Sequence, residues 1–368
     1  MLRNALYTLI LLLIHTQCIA ENNYSYVKPE QISDGWPTQH IESLATNTER
    51  INLFFNQLMD SKHKIHSTLL VKDGTIILEE YFDDYSRDTK HDMRSVTKSV
   101  TALLIGIALE KGYIRNLDDT IWTYLKKPTV RKNPDPRKNN ITIRHLLTMS
   151  SGLECNDWDK KSKGQEDRVY KKKDWLQYTV DLPMINTPGK AAFYCSMGVT
   201  LLKEIISQTS GQPIDVFADT YLFKPLGIHN IRWGHTSKRK NIIPSGKRLY
   251  MTSRDLAKIG QLMLNQGLWN STQVVSQQWI KSIASSQTQL ANLDYSFLWW
   301  RIPFPVQDHV HVSTTATGNG GQYIFVFQEL NMVAIFTGGA YNSEEDKLPF
   351  AVVKDVYLPT ILSSIDHE

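Results

Sequence analysis

Ser95-Val96-Thr97-Lys98 opens an apolar stretch of the chain, and this stretch decides how the rest of the sequence is interpreted. Residues 100–109 are almost all apolar or small, and Lys111-Gly112 is a common end of a helix. The pattern predicts a buried helix with Ser95 and Lys98 in its first turn. A serine and a lysine three residues apart lie on one face of such a helix, one turn from each other.

This arrangement suits a nucleophilic serine whose proton is taken by a lysine. Ser95 lies at the helix N-terminus, where free N–H groups and the positive end of the helix dipole point. Burial lowers the pKa of a lysine, so we expect an uncharged Lys98 that acts as the base. The alternative is that Ser95 only caps the helix and that Lys98 is a surface residue.

The same spacing occurs twice more, from Ser61 to Lys64 and from Ser237 to Lys240. Both of these matches lie in polar, basic runs that are typical of loops. Only Ser95 precedes an apolar helix, so we expect Ser95 to be the nucleophilic serine.

The first twenty residues have the composition of a secretory signal peptide. Arg3 is a short basic region, residues 5–14 are apolar, and Cys18-Ile19-Ala20 is a small-x-small cleavage pattern. We expect cleavage after residue 20 and a secreted or periplasmic protein, with an uncleaved anchor as the alternative. No later segment approaches a membrane-spanning length, so we expect no span after removal of the signal.

Composition excludes several classes of function. The 368 residues contain 41 Lys and Arg against 37 Asp and Glu, a net charge of +4, which is too little to indicate nucleic-acid binding. The sequence has no zinc-type Cys/His spacing, Walker loop or dinucleotide fingerprint. Removal of the signal leaves Cys155 and Cys195, an even pair that is compatible with one disulfide in an exported protein.

Periodicity and turn signals predict an α+β fold. The strongest local signal is Asp73-Gly74, a hairpin turn between two β-rich runs. A polar segment, 154–174, is predicted to be a loop. The predicted helices are 41–59, the Ser95 helix, 143–148 after an N-cap at Thr142, 199–207, 253–265 and 349–362, and the predicted strands are 67–71, 75–81, 295–302, 323–329 and 332–337.

Strands near both ends with helices between them indicate an antiparallel sheet, flanked by helices and formed by both chain ends, with an inserted, mainly helical region. We expect one hydrolase domain over 21–368. Its α/β part covers about 21–115 and 290–368, and its helical part covers about 116–289.

Two further segments complete a site for acyl transfer, which needs a proton route to the leaving group and hydrogen-bond donors for the oxyanion. Tyr194-Cys195-Ser196 offers a tyrosine that can shuttle a proton beside a lysine ammonium. The run from Ala316 to Gln322 contains glycines that let a substrate lie against a strand edge. The alternatives are a core tyrosine and an ordinary glycine-rich turn.

The order and surroundings of these segments resemble the class C β-lactamase-like serine hydrolases, a family of penicillin-binding-protein fold that includes D,D-peptidases, esterases and nylon-oligomer hydrolases. The resemblance covers about Ser67 to Ser364. It rests on Met93 to Lys98, His145 to Leu153, Pro188-Gly189 before Phe193-Tyr194, Phe223 to Ile228, Met251 to Ala257, and Gly318 to Gln322.

The resemblance implies a role for each matched residue. Ser95 is similar to the acylated nucleophile, Lys98 to its base and Tyr194 to the catalytic tyrosine, while Ser196 is expected to hydrogen-bond near the lysine or the substrate. Asn319, directly after Gly318, matches the position whose backbone N–H joins that of Ser95 in the oxyanion hole. The family's placement of the loop after Leu153 beside the tyrosine favours a Cys155–Cys195 disulfide. No metal or organic cofactor is implied.

One residue departs from the family pattern. Its β-lactamases and peptidases have Lys or His before Thr-Gly on the third segment, whereas this chain has Ala316. We therefore expect an exported serine hydrolase that acts on a small ester or amide. The alternatives are a D,D-carboxypeptidase or weak β-lactamase with the same mechanism, and a catalytically silent binding or scaffold homologue.

Overall fold

The computed structural model of the protein describes residues 24–44, 49–234 and 246–365. The signal peptide predicted at 1–20 and the match from Ser237 to Lys240 therefore lie outside the described residues. Within these ranges, none of the helices is long and apolar enough to cross a bilayer.

An eight-stranded antiparallel sheet, of spatial order β2-β1-β13-β12-β11-β10-β9-β8, forms the centre of the fold. Two smaller sheets, β3-β5-β4 and β6-β7, accompany it. The strands are β1 Ile65–Lys72, β2 Thr75–Tyr81, β3 His91–Asp92, β4 Arg232–Gly234, β5 Arg248–Met251, β6 Leu268–Trp269, β7 Thr272–Gln273, β8 Thr288–Leu290, β9 Leu293–Ser296, β10 Trp299–Val306, β11 His309–Gly318, β12 Gln322–Phe327 and β13 Met332–Gly338.

The first hairpin and the last strand join the two ends of the chain. Asp73 and Gly74 have positive φ angles of 49° and 76°, which is the geometry of a tight hairpin turn. β1 then pairs antiparallel with β13, with Leu69 opposite Ile335. The predicted sheet, built from both chain ends and flanked by helices, is therefore confirmed.

The helices lie between and around these strands. The helix predicted after Ser95 begins at Val96, the next residue. The α-helices are α1 Glu49–Met59, α2 Val96–Glu110, α3 Ile121–Tyr124, α4 Ile143–Leu147, α5 Glu166–Val169, α6 Trp175–Val180, α7 Ser196–Ser210, α8 Ile214–Ala218, α9 Ser253–Leu264, α10 Gln277–Ala284, α11 Leu348–Val352 and α12 Leu358–Ile365. Shorter 3-10 turns cover Ile41–Leu44, Pro136–Asn140 and Glu344–Lys347, and π-helical turns cover Asp219–Phe223 and Val353–Tyr357.

The sheet separates two apolar cores, because neighbouring residues of a strand point to opposite faces. On β1, Leu69 and Val71 belong to the core that also contains α2 and α7. Leu70 belongs to the second core, with α1 and the helical turns near the C-terminus. The larger core fixes α2, and with it Ser95, against the sheet.

Four local predictions need correction. The predicted strand 295–302 is a hairpin, in which Phe297 and Leu298 have positive φ angles of 42° and 68°. Both residues are buried, so this turn lacks the polar or glycine signal of an exposed one. The strand β11 was not predicted, the predicted loop 154–174 contains the short helix α5, and the predicted helix 41–59 is a 3-10 turn and α1 on either side of the undescribed residues 45–48.

Candidate active site

Ser95 and Lys98 lie next to each other at the start of α2. Lys98 Nζ donates a hydrogen bond of 2.7 Å to Ser95 Oγ. Ser95 occupies the N-cap position of α2, but its side chain makes no capping hydrogen bond. The hydroxyl is therefore directed at the lysine and does not serve as a helix cap. By contrast, Ser61 of the second described match donates to the carbonyl of Leu58.

The charge state of Lys98 differs from the sequence prediction. Burial alone would lower the pKa of its ammonium, as predicted, but the interactions with Tyr194, Glu166 and Asp157 raise that pKa above its ordinary value. The predicted lowering is wrong, because Tyr194 and two carboxylates from a separate segment of the chain offset the cost of burial. Lys98 is thus an ammonium at neutral pH and must lose a proton before it can act as a base.

Tyr194 lies beside this pair. Its ring centroid is 5.0 Å from Lys98 Nζ. Cys195, the next residue, is the N-cap of α7, where its sulfur accepts a hydrogen bond from the backbone N–H of Gly198. Because α7 packs against α2, the tyrosine is brought to the serine and lysine from a position about a hundred residues along the chain.

The end of β11 closes the other side of the cavity. A Cβ on Gly318 would lie 2.6 Å from the carbonyl oxygen of Met93, so only glycine lets the strand approach the residues before Ser95 this closely. Asn319 follows and lines the same cavity as Ser95, Lys98 and Ser196. The structure therefore brings together the six residues that the sequence selected. Four of them line this cavity, Tyr194 lies beside Lys98, and Gly318 approaches the residues before Ser95.

A family model described as Beta-lactamase matches residues 54–356, which is most of the chain. The chain belongs to the beta-lactamase family. Membership of this family, together with the hydrolases among its relatives, makes it a serine hydrolase.

Relatives of this beta-lactamase-family chain include several kinds of hydrolase. The 6-aminohexanoate-dimer hydrolase of Paenarthrobacter ureafaciens is 22% identical over 67% of this chain and 65% of its own length. Esterase EstB of Burkholderia gladioli is 23% identical over 56% of this chain and 57% of its own. The structure of the octameric penicillin-binding protein homologue from Pyrococcus abyssi has a TM-score of 0.64 and 18% identity, over 86% of this chain and 77% of that one, which shows the shared fold.

Sequence analysis missed two carboxylates in this beta-lactamase-family site. Asp157 accepts hydrogen bonds from the backbone N–H of Ser196, at 2.7 Å, and of Glu166, at 3.0 Å. Glu166 Oε2 accepts hydrogen bonds from Ser196 Oγ, at 3.1 Å, and from the Tyr170 hydroxyl, at 2.7 Å. Both carboxylates belong to the polar segment that was interpreted as a loop. The sequence offers one signal for this role, since the acidic residue Asp157 lies two positions after Cys155, a candidate disulfide cysteine.

The aromatic side chains of Trp158 and Trp300 stack on the ring of Tyr194. Trp158 lies parallel to the Tyr194 ring, with 5.1 Å between centroids, although 56% of its surface is exposed. Trp300 stacks at 6.3 Å from the same tyrosine. The three rings form one aromatic stack.

A disulfide joins the two cysteines that the sequence paired. Cys155 and Cys195 have Cα atoms 5.3 Å apart and are bonded through their sulfurs. The bond ties the segment that carries Asp157 and Trp158 to the residue after Tyr194. The backbone N–H of Asp157 also donates to the Tyr194 carbonyl, at 2.8 Å, so the crosslink and a hydrogen bond hold the same two segments.

We expect this disulfide to resist alkylation and to stabilise the fold. It closes a loop of 40 residues, so the chain-entropy model gives it about 4 kcal/mol of unfolding free energy. Peptide mapping of the native, unreduced protein should find both cysteines unalkylated, and the Cys155→Ser/Cys195→Ser double variant should lose stability of that order in urea. Two alkylated cysteines in native protein would contradict the bond.

Proposed function

We propose that the protein is an exported serine hydrolase that forms an acyl-enzyme on Ser95 with a small, uncharged ester or amide. The observation that carries this proposal is the contact between Lys98 Nζ and Ser95 Oγ, with Tyr194 beside the lysine. Nucleophile and base thus line one cavity, and the proton carrier lies beside the base.

In the proposed mechanism, a deprotonated Lys98 takes the Ser95 proton as Oγ bonds to the carbonyl carbon. Backbone N–H groups of Ser95 and Asn319 stabilise the oxyanion. Tyr194 gives its proton to the leaving alcohol or amine as the bond between that group and the carbonyl carbon breaks, and Lys98 returns the serine proton to Tyr194. A water molecule then attacks the acyl-enzyme, which releases the carboxylic acid and restores Ser95.

The charges around the cavity support an uncharged substrate. Ala316 is fully buried within β11, so this position presents no cation to the cavity. Arg94 and Arg248 line the cavity, but Asp92 Oδ2 lies 3.3 Å from Arg94 Nε and 3.2 Å from Arg248 Nη2. The two arginine side chains near Ser95 therefore share the one carboxylate of Asp92. The support for an uncharged substrate comes from the missing cation at position 316 and from this shared ion pair.

We expect kcat/KM for p-nitrophenyl butyrate to exceed that for penicillin G by about tenfold or more. Penicillin carries a carboxylate, and a hydrogen bond to a charged group is worth about 1.5–3 kcal/mol, which corresponds to a factor of roughly ten to a hundred. Steady-state kinetics with both compounds measures this ratio.

Two arginine variants control this comparison. Arg94→Gln removes a cation from the cavity, whereas Arg301→Gln is a matched change at a residue that donates to the Ala284 carbonyl in another cavity. Both should leave the ratio unchanged. A wild-type ratio of one or less, with a selective loss of penicillin turnover in Arg94→Gln, would move the function to a D,D-peptidase or β-lactamase.

Export is part of the proposal, because disulfides persist in oxidising compartments and are rare in the cytosol of mesophiles. The Cys155–Cys195 bond supports the signal peptide that the first twenty residues predict. N-terminal sequencing of the secreted or periplasmic protein tests it, with Glu21 as the expected first residue.

A further inference from the structure

Asp157 and Glu166 form a carboxylate pair behind Lys98. Ser196 connects them, since its backbone N–H donates to Asp157 and its hydroxyl donates to Glu166. Glu166, Ser196 and Lys98 line one cavity. None of the three catalytic roles proposed above uses either carboxylate, although holding two acids together beside the site is costly.

Each acid is held in place from more than one element. The two oxygens of Asp157 accept the backbone N–H groups at the starts of α7 and α5, at 2.7 and 3.0 Å. Glu166 receives the Tyr170 hydroxyl as well as that of Ser196. These bonds fix the pair relative to Tyr194, because Asp157 also donates its backbone N–H to the Tyr194 carbonyl.

The other charged or titratable groups around Lys98 and the pair are Tyr194, Tyr170, Lys203 and Arg248. Burial and the charge of Glu166 raise the pKa of Asp157 to about 6. Burial would raise the pKa of Glu166 as well, but Lys98 and the hydrogen bonds from Tyr170 and Ser196 lower it. Burial, Lys98 and Arg248 lower the pKa of Lys203 to about 7. Above pH 7 both acids are therefore ionised while the charge of Lys203 is being lost.

We propose that Asp157 and Glu166 are positioning residues that hold Lys98 as an ammonium and thereby place the attack of Ser95 in the alkaline range. This inference rests on the proposed function, because it takes Ser95 as the nucleophile and Lys98 as its base. The pair acts on Ser95 only through the charge of Lys98.

The direction of the effect follows from the charges. Only neutral Lys98 accepts the Ser95 proton, so the rate of attack rises with pH until the lysine has lost its own proton. An opposite charge nearby raises the pKa of a lysine, by about one to three units for close pairs. Neutralising Glu166 therefore lowers that pKa, and a larger fraction of the enzyme becomes competent at neutral pH.

The experiment follows the rate at which an uncharged fluorophosphonate labels the full protein between pH 6 and 10.5. Labelling forms the bond from Ser95 Oγ to phosphorus, breaks the phosphorus–fluorine bond to release fluoride, and gives the serine proton to Lys98. It reports the first step alone, without the leaving-group proton of Tyr194 or the later hydrolysis.

Glu166→Gln is the main variant, because a glutamine oxygen can still accept from Ser196 and Tyr170. Asp157→Asn is the second variant. Asp159→Asn is the matched control: its carboxylate is exposed on the same segment and accepts the backbone N–H of Lys161 at 2.8 Å.

In wild type and in Asp159→Asn we expect labelling to rise with pH through the alkaline range. In Glu166→Gln the midpoint should fall by about one pH unit, so that labelling at pH 7.5 becomes up to about tenfold faster while the rate at high pH is retained. Asp157→Asn should shift the midpoint of the pH profile in the same direction. A merely structural role would instead slow labelling at every pH.

Two results would overturn the inference in distinguishable ways. If wild type is labelled at Ser95 but neither variant shifts the midpoint downward, the pair does not set the charge of Lys98 and the proposed function stands. If wild type is not labelled at Ser95 at any pH, the proposed function fails and the inference fails with it.

Discussion

Ser95→Ala protein should lose ester turnover by about a thousandfold or more and should no longer react with a fluorophosphonate. The substitution removes the only atom that can form the acyl-enzyme, and loss of a nucleophile leaves the residual rate that binding and the oxyanion donors supply. The fold should remain intact, because Ser95 Oγ makes no capping bond and its partner is Lys98.

A matched control comes from the second serine–lysine pair of the described chain. Ser61→Ala removes a hydroxyl that donates to the Leu58 carbonyl and leaves the Ser95 cavity unchanged, so it should retain both turnover and labelling. Hydrolysis of p-nitrophenyl acetate at the wild-type rate by Ser95→Ala would refute the nucleophile. Wild-type protein that binds esters without turnover or labelling would instead identify a catalytically silent homologue.

Lys98→Ala and Tyr194→Phe should each lower kcat by at least about a hundredfold, which is the usual scale of acid–base catalysis. Their effects should not multiply in the double variant, because both groups serve the same proton transfers and contact each other. The double-mutant cycle on p-nitrophenyl butyrate measures this coupling.

Lys64→Ala serves as the control for removal of a lysine, because Lys64 belongs to the second serine–lysine spacing and lies outside the cavity. It should keep the wild-type kcat. Near-wild-type activity in either single variant, or effects that multiply fully in the double variant, would count against the roles assigned to Lys98 and Tyr194.

The sequence predicts those parts of the site whose arrangement depends on residues that are close together in the chain. Ser95 and Lys98 meet because they are three residues apart on one helix, and Gly318 is needed where a strand approaches the loop before that helix. Tyr194 was found through a resemblance, because its position depends on how α7 packs against α2. Only the folded structure shows that Tyr194 lies close to Ser95 and Lys98.

The charge of Lys98 could not be predicted in the same way. It depends on Tyr194 and on Asp157 and Glu166. The two acids lie about sixty residues further along the chain, in a segment without periodicity. Only the packing of that segment against Tyr194 and Ser196 brings the two acids to the lysine. The turn at Phe297-Leu298 was missed for a related reason, since burial in the tertiary structure stabilises it without the usual turn residues.

The pairing of β1 with β13 also constrains when the molecule can fold. Ile65 pairs with Gly338, so β1 can pair with β2 at once but gains its second partner, β13, only after more than 270 intervening residues have been synthesised. Such non-local contacts slow folding, because a long loop must close before any pairing is gained. We therefore expect the sheet to stay open between β1 and β12 until β13 has been synthesised, and hydrolytic activity to begin only after β13 has docked.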